Sequence, residues 1–303
     1  MNNNLILFPD NNFRTIVEPI IGSSYALIGK LSYGAYACSE IFIELNQDIT
    51  EKKCLIVSGI YPPDKNFLSI LLLADTLKRN GAGEIILFSP YLAYSRQIES
   101  GERKSAASDL ILKLFNASGI TKVVTVDLHD KSLFNKFPKI LTSLSPAKLF
   151  STEIKNLKLI SPTVVAPDSG AVNRAKEFTR EAKIYKDIVV LKKERVQSGV
   201  KVTGVVGKLS EEAIIVDDIL DTGDTLVACC EKLVENGARE IYIVVTHGFF
   251  SGSGWERLWG LNVKKIFTTN SIPLPTKSEN LNIKVLTVTP LIEELVKAYS
   301  QDK

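Results

Sequence analysis

Ala213-Ile214-Ile215-Val216-Asp217-Asp218-Ile219-Leu220-Asp221-Thr222-Gly223-Asp224-Thr225 is the stretch on which the fold turns. Four apolar, mostly β-branched residues predict a buried strand, and the acids at 217 and 218 mark its carboxyl end. A tight polar turn built around Gly223 follows. Leu226, Val227, Cys230, Leu233 and Val234 then recur on one helical face until Asn236-Gly237 stops the helix. Strand, acidic turn and helix make the repeating unit of a parallel sheet. In open sheets of that kind ligands sit beyond the carboxyl ends of the strands.

Outward from this segment the same alternation continues. Leu55-Ile56-Val57, Ile85-Ile86-Leu87-Phe88, Val123-Val124-Thr125-Val126, Val164-Val165-Ala166 and Ile241-Tyr242-Ile243-Val244-Val245 are short apolar runs separated by helix-length segments. The expected class is α/β with mainly parallel sheets flanked by helices. Asn80-Gly81-Ala82-Gly83-Glu84-Ile85 also matches Asn236-Gly237-Ala238-Arg239-Glu240-Ile241, 156 residues further on. Helix, Asn-Gly, strand is also a common way to end any helix. Taken as a duplication, the match gives two related domains of about 150 residues each. The copies differ after their strands: Asp217-Asp218 and the following turn stand in one, Ser58-Gly59-Ile60-Tyr61-Pro62-Pro63-Asp64-Lys65-Asn66 in the other.

Composition narrows the function classes. The 303 residues are 45% hydrophobic and 23% charged, with a formal net charge of +3 and no basic run, so a nucleic-acid partner is not expected. Cys38, Cys54, Cys229 and Cys230 form no C-x-x-C pair and read as reduced thiols. No apolar stretch approaches the roughly 18–20 residues that span a bilayer. Met1-Asn2-Asn3-Asn4-Leu5 lacks the basic start and cleavage pattern of a secretion signal, so a soluble cytoplasmic protein without a membrane partner is the expectation.

The acidic turn suggests its own ligand. Adjacent carboxylates at 217 and 218 offer only acceptors, and the 2- and 3-hydroxyls of a ribose offer two donors at matching separation. Gly223 allows the backbone to turn its N–H groups inward, and Thr222 and Thr225 add hydroxyls. The helix N-terminus favours an anion. Charge-assisted hydrogen bonds of about 1.5–3 kcal/mol each would hold a phosphate monoester. The bland alternative is an acidic strand end followed by a helix cap at Asp224.

Val216-Asp217-Asp218-Ile219-Leu220-Asp221-Thr222-Gly223-Asp224-Thr225 resembles the ribose-phosphate signature of the type I phosphoribosyltransferase fold, which usually has a small residue where this chain has Asp224. A tandem pair of such domains resembles the ribose-phosphate pyrophosphokinase family, and the similarity runs nearly the full length. It implies a first domain over 1–147, joined by 290–303, and a second over 148–289. In that family Asp217, Asp218, Asp221, Thr222, Gly223, Asp224 and Thr225 would bind ribose 5-phosphate. Pro167-Asp168-Ser169-Gly170-Ala171-Val172-Asn173-Arg174-Ala175 is similar to its pyrophosphate loop, with Asp168, Ser169, Gly170, Ala171 and Arg174 as the binding positions. Pro90-Tyr91-Leu92-Ala93-Tyr94-Ser95-Arg96-Gln97 resembles the segment that meets ATP, with Arg96 and Gln97 in contact. Val126-Asp127-Leu128-His129 resembles the metal-site strand, and the resemblance implies Mg2+ near His129 and Asp168. Lys193 and Arg195 are similar to the family's catalytic mobile-loop pair, with Gln197-Ser198-Gly199 suited to a loop that closes over substrate. Thr246-His247-Gly248-Phe249-Phe250-Ser251-Gly252, Asn270-Ser271-Ile272-Pro273-Leu274-Pro275 and Val285-Leu286-Thr287-Val288-Thr289-Pro290-Leu291-Ile292 resemble late signatures. Taken singly, His129 also reads as a structural histidine, Asp168-Ser169-Gly170 as a plain turn, and Arg96, Lys193 and Arg195 as solvated charges.

The likeness breaks in the nucleotide site. Leu31-Ser32-Tyr33-Gly34-Ala35 stands where the family has an Asp-Gly-Glu turn that holds adenine, and Ile98 follows Arg96-Gln97 in place of Asp. Ala35 cannot accept a hydrogen bond from an exocyclic amine, so base selectivity should be weaker or built differently. The implied activity is diphosphoryl transfer from ATP to ribose 5-phosphate in a homo-oligomer, a dimer or hexamer. The alternatives are a non-catalytic regulatory paralogue and a phosphoribosyltransferase using phosphoribosyl diphosphate.

Overall fold

The apolar runs fold as strands of two open sheets, one in each of two units. The computed structural model describes residues 5–21, 26–61, 65–97, 105–196, 199–275 and 282–301. One unit comprises Met1–Leu144 with Thr287–Lys303, the other Ser145–Leu286; the limits implied by the sequence were 147 and 289.

In the first unit the strands are β1 (Leu5–Pro9), β2 (Leu27–Ile28), β3 (Leu31–Ala35), β4 (Ile41–Leu45), β5 (Lys53–Val57), β6 (Glu84–Phe88), β7 (Lys122–Val126) and β8 (Leu141–Leu144). Between them lie α1 (Arg14–Val17), α2 (Lys65–Arg79), α3 (Ala107–Ser118) and α4 (Leu133–Lys136). Six strands form a parallel sheet in the order β2-β1-β5-β6-β7-β8. Leu5 to Phe8 and Cys54 to Val57 are buried along their whole length. That explains why they read as continuous apolar runs and not as alternating ones. From β1 the chain moves to β2 on one side, and from β5 through α2 to β6 on the other, which makes the β1–β5 boundary the switch point of the sheet. β3 and β4 pair separately as an antiparallel ribbon, Tyr33 opposite Ile43 and Ala35 opposite Ile41. Residues 31–35, matched in sequence to a turn, are therefore an extended strand.

The second unit adds α5 (Ala147–Asn156), β9 (Thr163–Ala166), α6 (Val172–Ala182), β10 (Val189–Val196), β11 (Gly199–Val206), β12 (Glu212–Leu220), α7 (Asp224–Glu235), β13 (Glu240–Gly248), β14 (Val263–Thr269) and β15 (Ile283–Leu286). The order is β11-β10-β9-β12-β13-β14-β15, parallel throughout except for the β10–β11 pair. Alternate residues of the central strands feed two cores. Val165, Ala213, Ile215 and Ile243 pack with Leu226 and Leu233 of α7 and with Trp255, while Val164, Ile214, Val216 and Val244 pack with Phe150 of α5 and Phe178 of α6. After β15 the last helix, α8 (Thr289–Gln301), belongs to the first unit.

The short repeat seen in sequence is a structural repeat. Gly81 and Gly237 both take left-handed backbones, φ +79° and +95°, just after α2 and α7. Ala82 N–H reaches the Leu77 carbonyl at 3.1 Å and Ala238 N–H the Leu233 carbonyl at 3.0 Å, the same helix-ending bond in each unit. Lys53 then faces Glu84 across β5–β6, as Glu212 faces Glu240 across β12–β13.

Candidate active site

The second unit's switch point lies between β9 and β12, whose onward connections run to opposite sides. β12 pairs with β9 only through Ala213–Ile215, but with β13 from Glu212 to Leu220. Sequence alone placed Asp217 and Asp218 at the end of their strand. They are instead inside it, on the stretch that β9 no longer covers, because pairing with β13 continues past them. The uncovered edge is filled by Arg174 from α6. Its guanidinium lies 3.7 Å from Asp217 Oδ1 and 3.4 Å from Asp218 Oδ2, and the three side chains are only 14%, 14% and 6% exposed. The Asp218 amide donates to Asp217 Oδ1 at 3.0 Å.

Burial, followed by the neighbouring Asp218 charge, pushes the Asp217 carboxyl well above the usual carboxylate range, and Arg174 opposes the shift. Two acids this close give up their second proton reluctantly. Arg174 is the group that makes the doubly ionised pair tolerable.

Asp168 follows β9. Its Oδ1 accepts the Ala171 amide at 3.0 Å, which ties Asp168, Ser169, Gly170 and Ala171 into a turn that opens α6. Arg174 is therefore three residues from that turn and in contact with the acids of β12. The two loops singled out in sequence are joined by one side chain.

The turn after β12 is set by a residue type and by a wall. Gly223 has φ +91°, and a β-carbon there would lie 2.5 Å from Trp255 Cα and 2.9 Å from its nitrogen. Only glycine fits. Thr222 Oγ1 donates to Asp224 Oδ2 at 2.9 Å, and Asp224 opens α7. The first-turn amides of α7, which no helical carbonyl can reach, therefore begin at this turn, between Thr222 and Thr225 in sequence. Ser251 N–H holds the Asp221 carbonyl at 3.1 Å, and Phe250 meets Trp255 edge-on at 4.9 Å between ring centroids. Trp255, fully buried, was not foreseen. The close-set glycines 252 and 254 before it are the signal that could have found it, since a Gly254 β-carbon would lie 2.8 Å from the Thr222 carbonyl.

His247 is a buried residue of β13 opposite Ile219. Its Nδ1 is 2.8 Å from Ser271 Oγ, and Thr269 Oγ1 donates to the Thr246 carbonyl at 2.8 Å. This closed network fixes the β13 and β14 ends beside the acidic strand.

Arg96, Gln97 and His129 are in the first unit. Arg96 and Gln97 are exposed in the turn after Tyr94, whose carbonyl accepts the Gln97 amide at 2.8 Å. His129 is exposed in the connection after β7, next to Leu128, whose amide donates to Ser143 Oγ at 3.0 Å. Lys193 and Arg195, expected in a mobile loop, have their backbones in β10, opposite Val202 and Val200, with an irregularity in register between 192 and 193. Their side chains lie outside the described residues, as do Gln197, Ser198 and Ile98. None of the four cysteines forms a disulfide, and burial pushes the Cys54 thiol up to about 12.

Among the described residues no three or more His, Cys, Asp or Glu side chains gather as a metal cage.

Tandem parallel sheets, with an acid pair and an amide-lined turn at one switch point, define the phosphoribosyltransferase-like class of sugar-phosphate enzymes. Residues 5–119 match the N-terminal domain of ribose phosphate pyrophosphokinase, and residues 167–302 match the phosphoribosyl synthetase-associated domain. The chain is 31% identical to a ribose-phosphate pyrophosphokinase of Bacillus cereus over 100% of its own length and 96% of the relative. It is 32% identical to the one of Aquifex aeolicus over 94% and 92%. The crystal structure of phosphoribosylpyrophosphate synthetase from Mycobacterium smegmatis superposes with a TM-score of 0.86, covering 98% of both chains at 24% identity. The chain belongs to the ribose-phosphate pyrophosphokinase family and is an enzyme of the transferase class.

Proposed function

We propose that the enzyme transfers the diphosphoryl group of ATP to the 1-hydroxyl of ribose 5-phosphate. The hydroxyl oxygen attacks the β-phosphorus and the bond from that phosphorus to the α,β-bridging oxygen breaks. The hydroxyl proton is released, AMP leaves and phosphoribosyl diphosphate remains. The observation that carries this reading is the buried acid pair held by Arg174 beside the glycine turn. Ribose hydroxyls are neutral donors, so they can bond the carboxylate oxygens of Asp217 and Asp218 while Arg174 keeps the charges compensated. Residues 221–225 would take the 5-phosphate on backbone amides and hydroxyls.

Asp168, Ser169, Gly170 and Ala171 would receive the diphosphoryl group, with Arg174 close behind. Lys193 and Arg195 would neutralise the charge that spreads over the migrating group. Arg96 and Gln97 would meet the nucleotide. His129 and Asp168 would help to hold Mg2+, which when bound would supply charge neutralisation to the substrate phosphates. Positioning and electrostatics carry the reaction, because the protein forms no covalent bond to substrate.

We place this activity in the cytoplasm, as a step of nucleotide biosynthesis, and in a homo-oligomer, dimer or hexamer. No helix of the described residues is long and apolar enough to cross a membrane. A coupled assay for AMP with ATP, magnesium and ribose 5-phosphate tests the reaction. Stoichiometric AMP and phosphoribosyl diphosphate are expected, and no AMP from any nucleoside triphosphate would overturn the reading.

A further inference from the structure

The first unit carries a cavity of about 210 Å³ that the reaction above does not use. It opens beyond the carboxyl ends of β1 and β5, at the switch point of that sheet. Two of its lining residues, Asp10 and Ser58, occupy positions that correspond to residues of the second unit's site. Pro9-Asp10 closes β1 as Pro167-Asp168 follows β9, and each aspartate accepts amides of the turn that comes next. Asn12 N lies 2.7 Å from Asp10 Oδ1, and Ala171 N lies 3.0 Å from Asp168 Oδ1. The pairing of Lys53 with Glu84 and of Glu212 with Glu240 sets the register of the two sheets, and counted from it Ser58 is the counterpart of Asp217.

What changed between the copies is the charge. Ser58-Gly59 replaces the acid pair, and no Gly-Asp-Thr turn follows. Ser58 is buried and its hydroxyl donates to Asp10 Oδ2. Burial holds the Asp10 carboxyl above its ordinary range. The apolar part of the lining includes Phe8, Ile56, Ile70 and Leu73, with Leu31 and Tyr33 of β3. Among its described lining residues there is no lysine or arginine, so a phosphate would meet the Asp10 charge without a counter-ion. The remaining lone pairs of Asp10 and Ser58 call for O–H or N–H donors, and the apolar walls call for a flat ring.

We propose that this cavity binds an uncharged ribonucleoside, its sugar hydroxyls donating to Asp10 and Ser58 and its base lying against Phe8, Ile56, Ile70 and Leu73. The proposal rests on the sugar reading of the second unit's site, since it takes the duplicated strand ends to have kept a taste for ribose after losing the phosphate grip. Titration calorimetry of the full chain with uridine and cytidine, neither of which is part of the ATP substrate, tests it.

At least one nucleoside should bind, about tenfold more weakly after Asp10→Asn and after Leu73→Trp, which fills the cavity. Binding should stay within twofold of the parent after the double substitution Asp217→Asn with Asp218→Asn. Ribose 5-phosphate should show the reverse pattern, so failure of the sugar reading would appear separately as ribose 5-phosphate binding indifferent to the acid pair. Thermal unfolding confirms that each variant is folded, and Leu73→Trp decides if Asp10→Asn is not. The proposal falls if neither nucleoside binds at millimolar concentration. It also falls if binding is lost with the acid pair, or if it survives in the folded cavity variants.

Discussion

At Gly223 a single missing methyl decides whether the turn between β12 and α7 can form. An alanine there would carry a left-handed backbone costing about 1–2 kcal/mol, and its β-carbon would overlap the main chain of Trp255, which has no freedom to swing aside. Gly223→Ala should lower the thermal midpoint by several degrees and kcat/KM for ribose 5-phosphate by at least a hundredfold, read by calorimetry and steady-state kinetics. Asp217 makes a pH-dependent claim. Its folded pKa is raised, chiefly by burial, so the folded acid keeps a proton that the unfolded chain has given up. The stability it contributes is therefore complete below the unfolded value of about 4 and is lost as pH climbs through the folded value. Sugar binding runs the other way, because hydroxyl donors need ionised acceptors. KM for ribose 5-phosphate should fall as pH rises through that same window, and Asp217→Asn should flatten the slope. A KM that does not change with pH across the window would remove the acid pair from sugar recognition.

The β10–β11 ribbon bears the two residues, Lys193 and Arg195, proposed to act on the migrating group. Its strands run eight residues each, and the backbones of 193 and 195 sit in a paired ladder instead of a free loop. If the pair neutralises the migrating group, Lys193→Ala and Arg195→Ala should each lower kcat by about 10²–10³ with KM for ribose 5-phosphate within threefold. Equal losses in kcat and sugar affinity would instead assign the ribbon to sugar binding. The ribbon also shows what sequence hides. Apolar runs such as Ile214–Val216 are legible because a strand buried on both faces must be apolar throughout. Lys192-Lys193-Glu194-Arg195 and Leu31–Ala35 are not, since an edge or two-stranded ribbon owes its shape to backbone pairing, and its side chains need follow no burial pattern. The acid pair and glycine turn could be read because their chemistry is local. The clamp of Arg174, forty-three positions before Asp217, and the wall of Trp255 come from tertiary packing, which spacing along the chain does not encode.

Over the whole molecule, one architecture occurs twice with different strand ends, and the last helix is committed to the first copy. In α8, Leu291, Ile292, Leu295 and Val296 are buried, Thr289 Oγ1 donates to the Ile16 carbonyl at 3.0 Å, and Lys53 Nζ reaches the Tyr299 carbonyl at 3.4 Å. Burying four such apolar side chains contributes about 6–12 kcal/mol as an upper figure, at about 1.5–3 kcal/mol each. A domain's entire net stability is about 5–15 kcal/mol. The first unit therefore cannot spare its final helix, although the whole of the second unit, Ser145–Leu286, separates that helix from the rest of it in sequence. A chain ending at Leu286 should lose the first unit and keep the second, so limited proteolysis should leave a resistant fragment spanning roughly 145–286. Ile292→Ala, a milder version of the same change, should cost about 2–5 kcal/mol and lower the unfolding temperature of the first unit alone. A truncated chain that resists protease over residues 5–144 as well as the full chain does would show that the first copy folds without α8.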